Sequence, residues 1–253
     1  MDLNNIIQRF MEEEQVSSNR HISSEVDRKY AVTKAYHDLM LRTIRGHTSS
    51  VQNNCIRWLA DHIEEFVNKE FVTEDDYRIE HEKLCNGFLD MFNSQLKEAG
   101  ASQQSFGKAQ KAVNMTIKYL YCFCDRNDFE CLFKYAHMPL DNSTLNWCKS
   151  NSLLPTKNCV WSNLDKKEYY KIAKNISNFL TVGQTYDETA LPGSPLEADF
   201  IIWAGEKRKA ALKELKSVLK KSSKNPDLIH CITIIDKKEM REYFEIIMQD
   251  REE

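Results

Sequence analysis

Two lysines and one aspartate are the groups in this chain that can do chemistry together. Lys111 and Lys118 lie seven residues apart in the run SFGKAQKAVNMTIKYLY, so two helical turns return the second to the face of the first. Asn114 and Met115 fall between them on that face. Phe106, Ala109, Val113, Ile117 and Leu120 form an apolar stripe elsewhere on the same helix. Downstream, HMPLDNSTLNW sets Asp141 two residues after Pro139, where Asp141 or Ser143 can cap a short helix. A face of amines and an amide beside a capping carboxylate suggests a site. Lys111 and Asp141 are separated by 30 residues, enough for the chain to leave the helix and come back.

The elements that position these groups are helices. The chain has 253 residues with 7 Gly and 5 Pro, where average usage would give about 30 of the two together. So few turn formers argue against sandwiches, barrels and propellers, and no glycine-rich nucleotide loop is present. Apolar residues recur at helical spacing from Leu3 to Met11, Val26 to Ile44, Val51 to Phe66 and Tyr77 to Leu96, the last within a fourth helix from Thr73 to about Glu98. Ser49 or Ser50 is the expected cap of the third helix, and Gly100 the stop after the fourth. A fifth helix runs from Ser105 to about Cys124, and another from Leu164 to Leu180 with Asp165 as its cap. Residues 181–195, containing LPGSP, read as a loop. A long helix from Leu196 to Lys221 is bent or interrupted at Gly205. IHCITII at 229–235 reads as a strand, followed by a charged helix from Lys237. The expectation is one all-α domain over residues 1–253, as a single body or as two lobes (about 1–100 and 101–253) around a cleft.

The net charge of −3 excludes a globally basic protein but not a basic face. Residues 61–83 carry nine acids and three bases. Residues 206–224 carry eight bases, Lys207 and Arg208 among them, and two acids. Residues 99–124 hold Lys108, Lys111 and Lys118 and no acid. Such basic stretches suit a phosphate backbone, or else form solvated helix surfaces. No apolar run reaches the length of a membrane span. The first residues lack a signal-peptide pattern, and eight irregularly spaced Cys suit reduced thiols, which together suggest the cytoplasm. Cys122, Cys124, Cys131 and His137 invite a metal reading, but Cys-x-Cys on a helix points its thiols about 200° apart. No metal or other cofactor is expected. Asp125, Asp128 and Glu130 read as a solvated loop, and Asp199 as a group able to orient something in the cleft.

At residues 105–147 the chain resembles the helix-hairpin-helix DNA glycosylases, and within them the archaeal 8-oxoguanine branch, where lysine and aspartate are also widely separated. Gly107, Lys108 and Gln110-Lys111-Ala112-Val113-Asn114 look like the family's hairpin-and-lysine part, and Pro139-Leu140-Asp141 like its carboxylate part. Gly107 stands alone where the family has a longer glycine hairpin. Lys118, 23 residues before Asp141, competes with Lys111 for the lysine role. The resemblance implies a DNA partner and a flipped nucleotide. It implies attack on C1′ by Lys111, and Asp141 stabilising positive charge on the sugar. A nucleophilic lysine acts as the free amine, a form that burial and the neighbouring cations Lys108 and Lys118 favour. On this resemblance Phe106, Asn114, Trp147 and Trp203 line the base pocket, with Trp161 a further stacking candidate, and Gly107, Lys108, Lys207 and Arg208 meet DNA. The alternative is a non-catalytic α-helical protein that binds nucleic acid or a protein partner through its charged stretches.

Overall fold

Capping side chains set where most of the helices begin. The computed structural model describes residues 2–43, 48–156 and 158–222. Its helices are α1 (Leu3–Glu13), α2 (Glu25–Thr43), α3 (Ser49–Val67), α4 (Glu74–Glu98), α5 (Phe106–Tyr121), α6 (Glu130–Tyr135), α7 (Asn142–Ser150), α8 (Lys166–Leu180) and α9 (Pro195–Ser222). Thr73 and Asp165 close reciprocal capping boxes with Asp76 and Glu168. Thr48, one residue before the expected Ser49 or Ser50, caps α3 by accepting from the Val51 amide. Gly100 follows α4 with φ of 67°, the left-handed turn that glycine adopts without strain. The fold is all-α, as composition and periodicity predict.

Helix α5 lies at the centre. It packs on α2, α4 and α8 and on a short 3-10 turn, Trp161–Asn163. Val113, Ile117 and Leu120 are fully buried, each stabilising by about 1.5–3 kcal/mol relative to exposure. The polar side of α5 is buried as well, including Gln110, Asn114 and Lys118. Because α5 shares one core with α2 and α4, the chain does not divide near residue 100. It divides after Gly205, into Met1–Gly205 and Glu206–Glu253.

The stretch read as a loop at 181–195 contains a small antiparallel hairpin, Thr185–Tyr186 (β1) with Thr189–Ala190 (β2). Helix α9 runs through Gly205 without interruption. Glycine stands there because a Cβ would fall 2.0 Å from the Tyr186 ring. IHCITII and the helix expected from Lys237 lie outside the described residues.

Candidate active site

Asp141 enters the site as a helix cap. Its backbone is extended, and Oδ1 accepts from the Ser143 and Thr144 amides at 2.9 and 3.2 Å. Its other oxygen, Oδ2, faces Lys111 Nζ at 3.4 Å. The two roles divide between the two oxygens, so capping leaves one oxygen for the amine. Side-chain exposures of 13% for Lys111 and 31% for Asp141 leave the pair within reach of a ligand. Lys111 Nζ also lies 4.8 Å from the centre of the Trp161 ring, a cation–π distance.

Gly107 brings that ring into place. Its N–H donates to the Leu164 carbonyl at 2.9 Å. A Cβ at this position would fall 1.8 Å from the Trp161 carbonyl oxygen. The start of α5 and the Trp161–Leu164 segment can therefore touch only through glycine. In this conformation the N–H of Gly107 is committed to Leu164, so the amide of this expected DNA contact is taken internally.

The helix face carrying the lysines continues inward as a hydrogen-bonded stripe. Gln110 Nε2 donates to the Leu140 carbonyl at 2.9 Å and to the Gly107 carbonyl at 2.8 Å. Asn114 donates to Gln110 Oε1 at 3.0 Å and to the Tyr169 hydroxyl at 2.8 Å. His81 Nε2 lies 2.8 Å from Asn114 Oδ1, and His81 Nδ1 lies 2.9 Å from the Tyr170 hydroxyl. His137 Nδ1 sits 2.9 Å from the Tyr169 hydroxyl. Burial lowers His81 to about 4 and pushes His137 well below its ordinary value, so both imidazoles are neutral at pH 7.

Two turns along α5, Lys118 Nζ pairs with Asp199 Oδ2 at 2.6 Å, with exposures of 2% and 6%. The rings of Phe10, Phe200 and Trp203 stand 4.5, 4.6 and 5.4 Å from the ammonium. Burial raises the carboxyl of Asp199, and Lys118 pulls it back in part. Thr144 lies between the two ion pairs. Its amide donates to Asp141, and its hydroxyl donates to the Pro139 carbonyl at 2.9 Å and lies 3.4 Å from Asp199 Oδ1.

The residues singled out from the sequence are thus sorted by depth. Lys111 and Asp141 meet at the edge of the core, whereas Lys118 is enclosed. Asn114 is wholly buried, its amide directed at protein groups and not at a ligand. Phe106 packs on Tyr169 and Tyr170, and Trp147 on Phe179. Of the expected pocket residues, only Trp203 is partly exposed. Lys108 is half-buried, bonded to Gln104, and its amine is lowered by that burial. Lys207 and Arg208 are exposed on the helical stretch of the second unit.

Asp125, grouped with a solvated loop, instead accepts from the amides of Ile22 and Ser23 at 2.8 and 3.2 Å. Among the described residues, no three His, Cys, Asp or Glu side chains are arranged to hold a metal ion. An open cleft of about 600 Å³ lies between Tyr121, Arg126, Lys134, Thr181, Ser194 and Glu197 and does not include Lys111 or Asp141. The cleft's charges are mixed, Arg126 and Lys134 beside Glu74, Glu130 and Glu197, and converge on no single chemistry.

The contact of Gln110 with Leu140, the part played by Thr144 and the placement of Trp161 escaped sequence reasoning. The one signal for Gln110 was its position beside Lys111 on a helix with no acids. Comparison of the chain with protein-family models, with curated proteins and with solved structures finds no match.

Proposed function

We propose that this chain is a DNA glycosylase with Schiff-base lyase chemistry, acting through Lys111 and Asp141. The observation that carries the reading is the meeting of these two residues, 3.4 Å apart and partly open to solvent, from separate elements. In the proposed reaction, the Lys111 amine gives its electron pair to C1′ of an extruded nucleotide. The N-glycosidic bond breaks and the base leaves with that bond's electrons, taking up the proton that the attacking amine sheds. Asp141 Oδ2 stabilises the positive charge that develops on the sugar. The C1′–O4′ bond opens, O4′ taking a proton from water, to give the protonated imine; loss of a C2′ proton then forms the C2′–C3′ double bond and expels the 3′ phosphate.

Lys118 is the weaker nucleophile candidate, because its ammonium is enclosed by Asp199 and three aromatic rings. Borohydride reduction during incubation with duplexes carrying oxidised, deaminated, alkylated or abasic nucleotides tests the proposal. The expected result is a covalent adduct that disappears in Lys111→Gln. Absence of both adduct and base release across the panel would overturn it. A second reading, a non-catalytic interaction protein, draws on the exposed acids Asp61, Glu64, Glu65, Glu70, Glu74 and Asp75. It predicts binding of a basic partner and no adduct.

A further inference from the structure

We infer that Gln110 is the positioning residue that holds Asp141 against Lys111, and that it does so through the main chain of Leu140. This rests on the glycosylase reading and extends it to a residue that never meets DNA.

The argument is one of adjacency. Gln110 precedes Lys111 on α5, and Leu140 precedes Asp141 at the start of α7. Gln110 Nε2 donates to the Leu140 carbonyl at 2.9 Å, while the Leu140 N–H donates to Gln110 Oε1 at 3.2 Å. The side-chain amide thus pairs with both main-chain groups of one residue, as a neighbouring β-strand would. Two such bonds fix sliding and rotation together, which one bond cannot. The neighbours of this pair are the two residues that must meet.

The amide has no slack. Its nitrogen faces two carbonyls, those of Leu140 and Gly107. Its oxygen faces two donors, the Leu140 amide and Asn114 Nδ2. Only one orientation satisfies all four contacts. Asn114 is oriented in turn by His81, whose Nε2 donates to Asn114 Oδ1 and whose Nδ1 accepts from the Tyr170 hydroxyl. Gln110, Asn114 and His81 are each 0% exposed. Buried polar groups destabilise unless fully paired, so the array holds one geometry. Loss of the Gln110 amide releases Leu140 and, through it, the Asp141 cap.

The test uses the intact protein and a duplex with a single abasic site, which bypasses the identity of the base. Single-turnover borohydride trapping and duplex affinity are measured for wild type, Gln110→Met, Asp141→Asn and the double variant. Amide hydrogen exchange is followed at Leu140, Ser143 and Thr144. The expected result is a trapping rate at saturating duplex lower by about tenfold or more in Gln110→Met, as for other small misplacements of reacting groups. Affinity is unchanged, exchange at the three amides is faster, and no further loss appears when Asp141→Asn is already present. Losses that add fully in the double variant, or that appear only in affinity, would overturn the inference.

Should Gln110→Met fail to fold, Gln110→Glu decides. The introduced carboxyl, when protonated, again offers one donor and one acceptor to Leu140, so the rate relative to wild type should recover as pH falls. A ratio that stays flat with pH overturns the inference. Wild type without an adduct removes the Schiff-base chemistry and this role together. A wild-type adduct with wild-type rates in both variants removes this role alone.

Discussion

Lys118 and Asp199 offer the sharpest check on the site's architecture. Their charged atoms are 2.6 Å apart, with side-chain exposures of 2% and 6%. Lys118→Met removes the cation and leaves a buried carboxylate whose remaining hydroxyl neighbour is Thr144, at 3.4 Å. Removing one partner of a buried pair typically costs about 3–5 kcal/mol, whereas replacing both with apolar groups of similar volume is close to neutral. At about 2–4 °C per kcal/mol for a unit of this size, the single variant should lose roughly 6–20 °C in Tm. Lys118→Met with Asp199→Leu should recover most of that loss. The assay is thermal and urea unfolding followed by tryptophan fluorescence, since the Trp203 ring lies 5.4 Å from the ammonium. The reasoning is refuted if Lys118→Met costs less than about 1 kcal/mol, the range of an exposed pair, or if the double variant is less stable than both singles. The same comparison guards the functional test, because an adduct lost in Lys118→Gln bears on the nucleophile only where that variant is still folded.

Asp141→Asn keeps a capping oxygen and should leave stability within a few tenths of a kcal/mol of wild type, while Asp141→Ala should cost about 1 kcal/mol. Equal denaturation midpoints for the two would argue against the cap. Gly107→Ala places a methyl 1.8 Å from the Trp161 carbonyl oxygen and should destabilise by about 1–3 kcal/mol, as overpacking does. A crystal structure of that variant with Trp161 unmoved would contradict the close approach. Stability should also fall on acidification from pH 6.5. His81 is lowered by burial from 6.5 to about 4, and His137 shifts the same way. Between those values the unfolded chain binds more protons than the folded one, so stability rises with pH and is lost as pH falls. For His81 alone the full span amounts to about 3 kcal/mol. Urea midpoints that stay level between pH 6.5 and about pH 5, above the carboxylate range, would show the imidazoles to be solvated in the fold.

The resemblance at residues 105–147 pointed to Lys111 and Asp141 as partners, and they meet although 30 residues lie between them. Asp165 was visible as a cap, and Thr73 as a helix start, because capping is local: the side chain and the amide it accepts from are three residues apart. The bonding role of Gln110 was invisible for the opposite reason. Its partner, the Leu140 main chain, is 30 residues away and carries no side-chain signal, since every residue but proline has both an amide and a carbonyl. Asn114 and Lys118 read as a solvated or ligand-facing strip because polar residues at helical spacing usually are one. Here each meets a partner on another helix, His81 on α4 and Asp199 on α9.

The sequence by itself determined the helical class and most helix starts. Both follow from hydrophobic period, scarce Gly and Pro, and short-range capping, interactions that operate within a few residues. Only the tertiary structure decided which face of α5 is inside and which of its two lysines reaches solvent. It also decided that Gly107 admits the Trp161 backbone. Those outcomes depend on groups brought together from α4, α5, α7 and α9. Burial of a polar side chain is tolerated only where such distant groups complete its hydrogen bonds.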